Sequence, residues 1–490
     1  MKSEEFIAQN PEYQVFRRKR EWVNGLGPGL LVLGGSGAMS LLSYSFTYGE
    51  GHSERPILWF LLAYAVIWLG FFHAVRRIRT SQGVSVALIL LIGALSRIAL
   101  LPSNLIQEND VYRYVFDGHN LLSGENPYRL SPTEIRHDPT HPLRDDLAGP
   151  EASLVLDRIG FPEVPTVYPP AAQVTFAVGV LVKDWDWRGQ RVLFLVIDVL
   201  VILALLQVQR ALGVAREWIV LYAWNPLVLK EVANSAHLDV LLCLQLALLM
   251  LVLTSSRRRV LTPILAGTLL GLLTLTKLYP LLLLPVLAVW LYRRFHSLIS
   301  PLVCVAAAGL VVGAGYLPFL GDGVRPLFRG LTIYGQYWVM NEGAFSLLSL
   351  VTDQARVVVV AVMALISLLT AWWFALPGGR SLVMAAQLVL LLWLLLIPTP
   401  YPWYSLPLLA LACLNPDSAV GRTTLGLSLF LALYYLSFYF EYRESQEWLW
   451  TLARSLEHAG IWGCFLWSAW PCRRGFSESR TQITGSPSRR

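Results

Sequence analysis

The chain has 490 residues, of which 55% are hydrophobic and only 14% are charged, and its mean hydropathy is +0.53. In soluble globular domains roughly a quarter of the residues are charged, so this composition excludes that class and indicates a multi-pass membrane protein. The net charge of +7 comes mainly from arginine clusters at predicted membrane boundaries, and no nucleic-acid partner is expected. The five cysteines form no CxxC pattern, which argues against a zinc site or a disulfide framework.

The hydrophobic stretches predict about fourteen membrane-spanning helices, because a span needs about 20 apolar residues, or somewhat fewer inside a bundle. They run over 27–47, 57–74, 84–102, 192–209, 217–233, 238–254, 260–277, 281–293, 297–318, 355–375, 381–397, 404–414, 423–440 and 447–470. Basic clusters fall at the even-numbered boundaries of this series, and such clusters mark the cytoplasmic side, so both termini are predicted to be cytoplasmic. Segment 168–182 is short and begins at two prolines, which predicts a re-entrant or surface-lying helix.

This topology divides the chain into three parts. Residues 1–83 hold a cytoplasmic segment and two leading transmembrane helices, residues 84–470 form the main transmembrane domain, and residues 471–490 form a basic cytoplasmic tail predicted to be disordered. The main domain has two sizeable outer loops, 103–167 and 320–354. Polar and aromatic residues gather in the outer connections, which indicates that any chemistry takes place on the outer face.

The first outer loop contains QENDVYRY, in which Glu108 and Asp110 lie two residues apart at the membrane boundary. A carboxylate there is unfavourable unless it is hydrated, paired or used. Asp110 could act as a general base for an attacking hydroxyl, or it could cap a helix that begins at Val111. Asp117 lies seven residues later and would share the helix face of Asp110. The three carboxylates could also hold a divalent metal through oxygen ligands.

The same loop continues with SGENPYRLSP, where Gly124 is expected to end the helix and Pro127 to extend the backbone. Tyr128 and Arg129 would then overhang a polar cavity at the bilayer surface. Plain anchoring at the interface would produce the same tyrosine-arginine pair.

Three basic residues lie where a phosphate could be bound near the outer surface: Arg113, Lys230 and Lys277. Lys277 is the preferred contact, with Tyr279 beside it, because Pro280 ends the helix at this point. A terminal lysine that only extends to the interface would give the same pattern. Lys230 is adjacent to Glu231, and the two could neutralise each other through other partners.

His237 and Asp239 lie in the outer turn NSAHLDV, where they could bind acceptor hydroxyls or assist the base, although Asp239 could instead be a helix N-cap. Within the predicted spans, Asp198 and Arg97 are expected to form a structural pair. The glycine patterns GTLLG at 267–271 and GLVVG at 309–313 predict close helix packing. The late segment TPYPWYS suits sugar stacking or contact with a lipid tail, and ordinary interfacial aromatics would look the same: Tyr401, Trp403 and Tyr404.

The order of these blocks resembles a known family. ENDVYRYVFDGHNLLSGENPY is similar to the first outer loop of GT-C glycosyltransferases, specifically glycosyltransferase family 87 and related polyprenol-phosphate-mannose-dependent mannosyltransferases. Further similar blocks follow in order: VYPPAAQ at 167–173, ID at 197–198, WNPLVLKEVANSAHLDVLL at 224–242, KLYPLLLLP at 277–285 and PYPWYSLPLL at 400–409. The two spans before the loop depart from members that have a single leading helix.

The resemblance implies an all-α GT-C helix bundle that transfers a hexose, with mannose the first expectation, from a polyprenyl-phosphate-linked donor to a glycolipid or polysaccharide acceptor. Transfer would proceed with inversion on the periplasmic face of a bacterial plasma membrane, within the lipid bilayer. The resemblance assigns the base to Asp110, with Glu108 second, and it favours metal independence with no cofactor. The residues expected to bind substrate are Arg113, Tyr114, Asp117, Tyr128, Tyr168, His237, Asp239, Lys277, Tyr279, Tyr401, Trp403 and Tyr404.

Two other functions fit a membrane protein of this kind. A secondary transporter would show internal repeats and ionisable groups near the membrane midplane, and no clear repeat is visible here. A lipid-linked oligosaccharide ligase or polymerase usually has its large outer loop late in the chain. The early acidic loop therefore favours a monosaccharide transferase.

Overall fold

The computed structural model describes residues 11–46, 55–255, 258–374, 379–440 and 447–469. Every regular element in these ranges is helical, as the sequence predicts. The predicted tail at 471–490 lies outside the described residues, as do its basic pair Arg473-Arg474 and Cys472.

The first half of the chain contains long apolar helices that flank the first outer loop. The α-helices are α1 (Pro11–Leu42), α2 (Ile57–Arg79), α3 (Val86–Leu100), α4 (Asp110–Leu122), α5 (Pro132–His137), α6 (Arg144–Leu147), α7 (Pro150–Asp157), α8 (Pro170–Val182), α9 (Trp187–Leu212), α10 (Val220–Ala223), α11 (Pro226–Val228) and α12 (Asp239–Ser255). Short 3-10 turns lie at Ser43–Ser45 and Arg216–Ile219, and a π-helical segment covers Leu229–Asn234.

The second half continues with α13 (Leu261–Thr276), α14 (Leu284–Phe295), α15 (Ile299–Tyr316), α16 (Val324–Leu327), α17 (Arg329–Tyr337), α18 (Ala344–Ser349), α19 (Ala355–Phe374), α20 (Gly379–Leu396), α21 (Leu406–Ala412), α22 (Ala419–Phe430), α23 (Ser437–Phe440) and α24 (Glu447–Ala469). Four 3-10 turns lie at Tyr279–Leu283, Leu317–Asp322, Pro402–Ser405 and Leu431–Leu436.

Among the described residues, six helices are long and apolar enough to cross a membrane: Lys19–Ser45, Ile57–Arg79, Trp187–Leu212, Ile299–Asp322, Ala355–Trp373 and Ala419–Leu436. A seventh span results if the bent pair Pro226–Asn234 and Asp239–Ser255 is counted as one. Four further apolar helices are shorter, at Val86–Leu100, Pro170–Val182, Leu261–Thr276 and Leu382–Leu396. These helices identify an integral membrane protein, while the number of about fourteen spans stays a prediction.

The continuous span predicted at 217–233 is wrong. The chain there forms a 3-10 turn, two short α-helices and the π segment, and it then bends by 118° into α12. Pro226 follows Asn225, whose side chain accepts a hydrogen bond of 3.0 Å from the Leu227 amide and starts a new helix. Because proline lacks an amide hydrogen, it favours a break between the preceding helix and this one.

The short spans predicted at 281–293 and 404–414 are also divided. Each begins as a 3-10 turn that contains a proline, Pro280 or Pro402, and continues as a short α-helix. The segment expected to re-enter or lie on the surface forms α8, a helix of 13 residues. At about 1.5 Å per residue, α8 is too short to cross a hydrocarbon core of about 30 Å.

The intramembrane pair expected from sequence is confirmed. Arg97 donates a hydrogen bond from Nε to Asp198, and the Tyr222 hydroxyl donates to the other carboxylate oxygen at 2.8 Å. Arg97 also donates to the Ala223 carbonyl at 2.8 Å. The pair therefore joins α3, α9 and α10 and satisfies the charges inside the bundle.

The predicted glycine packing holds for only one of the two patterns. A β-carbon on Gly267 would lie 2.2 Å from the Cys304 carbonyl oxygen, so α13 and α15 touch backbone to backbone there. Gly309 and Gly313 have open space around them, so the second pattern does not mark a helix contact within the described residues. Close approach also places α4 against α8, because a β-carbon on Gly118 would lie 2.7 Å from the Phe176 carbonyl oxygen.

Candidate functional site

A large cavity of about 2360 Å³ lies between the first outer loop and the later helices. Its polar part is lined by the start of α4 and by the loop that leads into α8. Its apolar part is lined by the 3-10 turn after α13, by α14 and by α19, and includes Leu281, Leu282, Val360, Met363 and Leu368. The cavity thus combines a polar wall with a hydrocarbon-like groove.

Asp110 lies on the polar wall of the cavity, at the first residue of α4. Its side chain is 36% exposed, and the helix dipole favours a negative charge at this end. The Tyr168 hydroxyl donates a long hydrogen bond of 3.4 Å to Oδ2, and His237 Nδ1 lies 4.0 Å from the same oxygen. Asn109, not Asp110, is the residue before the helix, and it makes no side-chain cap, so the capping alternative for Asp110 is not observed.

Glu108 also lines the cavity, but its side chain is only 6% exposed. Burial raises the pKa of Glu108 well above its ordinary range, Lys230 opposes the change, and the nearby carboxylates of Glu231 and Asp110 raise the pKa further. The preceding residue, Gln107, has a positive φ of 58°, which non-glycine residues rarely adopt. Backbone strain of this kind tends to occur at functional sites.

Behind these two carboxylates lies a fully buried charged cluster. Lys230 Nζ is 3.5 Å from Glu231 Oε2 and 4.0 Å from Glu108 Oε1. Tyr435 donates its hydroxyl hydrogen to Glu231, and His237 Nε2 lies 3.2 Å from Glu231 Oε2. The sequence left open that Lys230 and Glu231 neutralise each other through other partners. In the structure the two are paired directly, and Lys230, a candidate phosphate contact, does not line the cavity. Tyr435 carried no sequence signal of its own.

Lys277 lines the cavity as expected, but its ammonium is not open to solvent. It donates to Asp239 at 2.6 Å and lies 4.3 Å above the Tyr404 ring. Asp239 is fully buried, and its carboxylate is paired with this lysine. Within the described residues, the Asp239 side chain does not cap the start of α12. Tyr279 lines the cavity and stacks on Trp393, with ring centroids 3.7 Å apart.

The late aromatic segment forms part of the cavity wall. Tyr401, Trp403 and Tyr404 all line it, and the rings of Tyr401 and Trp403 are stacked 4.6 Å apart. Trp403 also stacks on His237 at 4.1 Å. The Tyr404 hydroxyl lies 3.0 Å from the hydroxyl of Tyr334, which belongs to the second outer loop.

Besides His237 and Asp239, three residues predicted to bind substrate do not line the cavity. Asp117 is buried and accepts hydrogen bonds from Arg113 at 2.9 Å, from Thr166 and from Gln173 at 3.2 Å. Arg113 itself lines the cavity, and its guanidinium also donates to the Val164 carbonyl at 2.8 Å. This network fixes the end of the first outer loop against α4.

The other two buried members are tyrosines that pack against neighbouring rings. Tyr114 stacks on Phe176 with centroids 4.3 Å apart. Tyr128 donates to the Tyr168 carbonyl at 3.0 Å. Both support Tyr168, which lines the cavity directly.

The structure adds cavity residues that sequence reasoning missed, namely Arg158, Tyr334, Arg356 and Trp393. Arg356 lies in the first turn of α19, donates to the Trp338 carbonyl at 3.0 Å and forms no ion pair with a carboxylate among the described residues. An arginine at the start of an apolar span was visible in the sequence, but its contact with the cavity was not. No group of three or more His, Cys, Asp or Glu side chains in the described ranges is arranged to hold a metal ion. Asp117, one of the three carboxylates considered for such a site, instead accepts a hydrogen bond from Arg113.

A family comparison matches the model of the alpha-(1->6)-mannopyranosyltransferase N-terminal domain to residues 23–293, which is more than half of the chain. The chain belongs to this mannosyltransferase family. The resemblance to a mannosyltransferase family in the sequence is thereby confirmed, and the protein is a membrane glycosyltransferase. No curated protein and no solved structure gives a significant match to it.

As a mannosyltransferase in a membrane, the protein requires a sugar donor, an acceptor and the bilayer. The matched range includes the first outer loop, the bent π segment and Lys277. It ends before α19 and the late aromatic segment, which supply the other side of the cavity.

Proposed function

We propose that this mannosyltransferase transfers mannose from a polyprenyl-phosphate-linked donor to a hydroxyl of a glycolipid or polysaccharide acceptor, with inversion at the anomeric carbon. The observation that carries the proposal is the position of Asp110: a half-exposed carboxylate at a helix N-terminus on the wall of a cavity that has one polar and one apolar end. A base must reach the hydroxyl whose proton it removes, and only a group on the cavity wall can do so.

Asp110 fits the role of base better than Glu108. Because burial raises the pKa of Glu108, this side chain retains its proton to higher pH than an ordinary glutamate does. Asp110 has the larger exposure of the two side chains, at 36% against 6%.

The apolar part of the cavity suits the hydrocarbon tail of the donor. Leu281, Leu282, Val360, Met363 and Leu368 contribute nonpolar lining from the turn after α13 and from α19. Burying a methylene group contributes about 0.8 kcal/mol, so a long isoprenoid tail would hold the donor mainly through this surface.

Of the cations that line the cavity, Arg356 and Lys277 lie on or beside the elements that form the groove. Arg356 lies one turn before Val359 and Val360 on α19 and can donate to phosphate oxygens in a bidentate manner. Lys277 is already paired with Asp239, which leaves its charge partly compensated. Arg356 is therefore the stronger candidate for the leaving phosphate.

In the proposed reaction the acceptor oxygen attacks the anomeric carbon while Asp110 takes the hydroxyl proton. The bond between that carbon and the phosphate oxygen breaks, and the electron pair stays with the polyprenyl phosphate. The stacked rings of Tyr401 and Trp403 would contact the sugar, whose C–H faces pack well on aromatic rings. The donor, the acceptor and this step are parts of the proposal.

We also assign the site to the periplasmic face of a bacterial plasma membrane and the whole chain to the GT-C architecture with about fourteen spans. The support is the distribution of basic clusters, which favours a cytoplasmic location for the opposite side. The short apolar helices of the bundle would then be spans or partial spans that are buried among longer neighbours.

The decisive experiment measures transfer of radiolabelled mannose from polyprenyl-phosphate mannose to a membrane glycolipid extract by purified protein in lipid nanodiscs. Asp110→Asn keeps the shape of the side chain and removes its basicity, so the rate is expected to fall by about 10²- to 10⁴-fold. Asp145→Asn is the matched control, because Asp145 is an exposed residue of the same outer loop and does not line the cavity.

The control should transfer mannose at the wild-type rate. Full activity of folded Asp110→Asn would remove Asp110 from the role of base and direct attention to Glu108. Absence of transfer by the wild type with this donor, while a nucleotide-linked mannose is accepted, would overturn the proposed donor.

A further inference from the structure

His237 is a buried histidine whose place in the site is not explained by packing alone. It is fully buried, and neither ring nitrogen has a hydrogen-bond partner of good geometry in the described residues. Nδ1 nevertheless lies 4.0 Å from Asp110 Oδ2, and Nε2 lies 3.2 Å from Glu231 Oε2. The imidazole therefore lies between the proposed base and a second carboxylate.

The backbone is arranged to hold this position. Glu231 lies in the π segment, a rare form of helix that occurs mostly at functional sites. The His237 amide donates to the Glu231 carbonyl at 2.9 Å, and Ala236 between them has a positive φ of 57°. A left-handed alanine is unfavourable, and such conformations persist where the surrounding structure requires them. The ring itself is fixed by stacking on Trp403 at 4.1 Å.

We propose that His237 accepts the proton from Asp110 after sugar transfer and that Glu231 is a positioning residue that holds the imidazole for this step. The inference rests on the proposed function, in which Asp110 is the base. It adds a second stage to that reaction and assigns roles to two buried residues that do not touch the substrate.

The step transfers one proton and no other group. Asp110 acquires the acceptor proton as the new glycosidic bond forms. Rotation of the Asp110 side chain directs the O–H toward Nδ1, and it must close the 4.0 Å separation to hydrogen-bond distance before the proton moves. The O–H bond breaks as an N–H bond forms, which leaves Asp110 as carboxylate and His237 as imidazolium. The proton returns through Asp110 to water when the product leaves the cavity.

Once Asp110 has given up its proton, the imidazolium lies between two carboxylates. Glu231 faces Nε2, Asp110 faces Nδ1, and Asp239 adds a further negative charge that is shared with Lys277. Lys230 opposes the new charge, but it is 3.5 Å from Glu231.

The remaining groups around the cluster are Glu108, beside Lys230, and the Tyr435 hydroxyl, which donates to Glu231. While donor and acceptor cover the cavity side of Asp110, the polar neighbours left to it are Tyr168 and His237. Removing the proton from Asp110 in this closed complex removes the acid that the reverse reaction would need.

The test is the pH dependence of kcat for mannose transfer by wild type, His237→Gln and Glu231→Gln in nanodiscs. Model carboxyl and imidazole groups titrate roughly two and a half pH units apart. If His237 must be neutral to accept the proton, activity of the wild type falls on acidification at a higher pH than that of a lone aspartate. His237→Gln is then expected to lose about ten-fold or more in kcat and to move its acid limb to lower pH by at least about one unit.

Glu231→Gln keeps the imidazole but removes the anion that favours its charged form, so its acid limb should also move to lower pH. This variant carries the test if His237→Gln does not fold. His119→Gln is the matched control, because His119 is likewise stacked on a tryptophan, Trp185 at 3.6 Å, but does not line the cavity.

Loss of kcat in His237→Gln with an unmoved acid limb would show a structural role only and would overturn the inference. Wild-type activity in His237→Gln and Glu231→Gln would overturn it as well. Asp110→Asn separates the two proposals. If this variant is inactive while His237→Gln keeps the acid limb of the wild type, the base stands and the relay fails. If Asp110→Asn is active, both fail.

Discussion

Glu108 and Asp110 are two residues apart, yet the structure gives them different environments. Asp110 lies at the helix N-terminus and faces the cavity, whereas Glu108 is buried beside Lys230 and the Glu231 carboxylate. Both are carboxylates in the same short segment, so the sequence alone does not distinguish them. The surrounding helices bury Glu108, which raises its pKa, and leave Asp110 exposed on the cavity wall, where it is the candidate base.

The raised pKa of Glu108 has a consequence for stability. Because its pKa is higher in the folded protein than in the unfolded chain, the folded state binds the proton more tightly. This contribution to the free energy of unfolding is fully present at pH values below the ordinary glutamate pKa of 4.5, and it is lost as the pH rises through the pKa of Glu108 in the folded protein. Glu108→Gln should therefore flatten the decline in stability above that pH, by at most about 1.4 kcal/mol per pH unit.

The measurement is the apparent melting temperature in detergent at a series of pH values from about 5 to about 8, which lie above the ordinary carboxyl pKa. Glu151→Gln, which changes an exposed glutamate in the same outer loop, should keep the wild-type slope. Equal slopes for wild type and Glu108→Gln would contradict a raised pKa.

At the scale of elements, the bent segment between α11 and α12 organises the site. The π turn and the 118° bend bring Lys230, Glu231 and His237 to the base of the first outer loop. Arg191 of α9 holds this arrangement, since its guanidinium donates to the Ser103 and Asn234 carbonyls. A straight helix through these residues would place successive side chains on different faces and would not collect them.

Helix packing gives a prediction with an internal control. Gly267→Val would push a side chain against the Cys304 backbone, where even a β-carbon lies 2.2 Å from the carbonyl oxygen, so α13 and α15 must separate. Overpacking of this kind costs about 1–3 kcal/mol or more, and the apparent melting temperature should fall. Gly309→Val makes the same change on α15 where nothing lies within 4 Å, and it should leave the melting temperature unchanged.

Both substitutions change helix propensity equally, so the comparison isolates packing. Equal losses in the two variants would indicate that α13 and α15 do not meet at Gly267. Thermal unfolding followed by intrinsic tryptophan fluorescence provides the readout.

At the scale of the whole molecule, the cavity joins the matched N-terminal range with the later helices. Asp110 and Lys277 come from the former, whereas Arg356 and the late aromatic segment come from the latter. A donor with a charged head and a hydrocarbon tail would contact residues from both parts of the chain. The head and the tail should contribute independently to the binding free energy, because sites that share no partners act additively.

Arg356→Gln should raise the KM for polyprenyl-phosphate mannose by about 10- to 100-fold, the effect of losing a hydrogen bond to a charged group, and should also lower kcat, because negative charge develops on the leaving phosphate. Shortening the donor tail should raise KM further and by the same factor in wild type and variant. Arg325→Gln removes an exposed arginine outside the cavity and controls for net charge. An unchanged KM in Arg356→Gln would exclude this arginine from the donor phosphate.

The sequence determined the class of protein and the location of its chemistry. Apolar runs with charged boundaries show which segments lie in the membrane, because hydrophobicity is a local property of the sequence. The acidic residues and the tyrosines that follow them indicated that the first outer loop carries the chemistry. Asp110, Tyr168, Lys277, Tyr279 and the late aromatic segment do line one cavity. The Arg97–Asp198 pair could also be predicted, because two opposite charges inside apolar helices have few other partners.

Contacts between residues distant in the chain were decided only by the tertiary structure. Asp117 shares a helix with Asp110 but is turned to Arg113 and Thr166, and Lys277 is neutralised by Asp239. Gly267 and Gly309 occur in equivalent patterns and differ only in what packs against them. The physical reason is that periodicity fixes the direction in which a side chain leaves its own helix, whereas the partner it meets depends on how the helices pack.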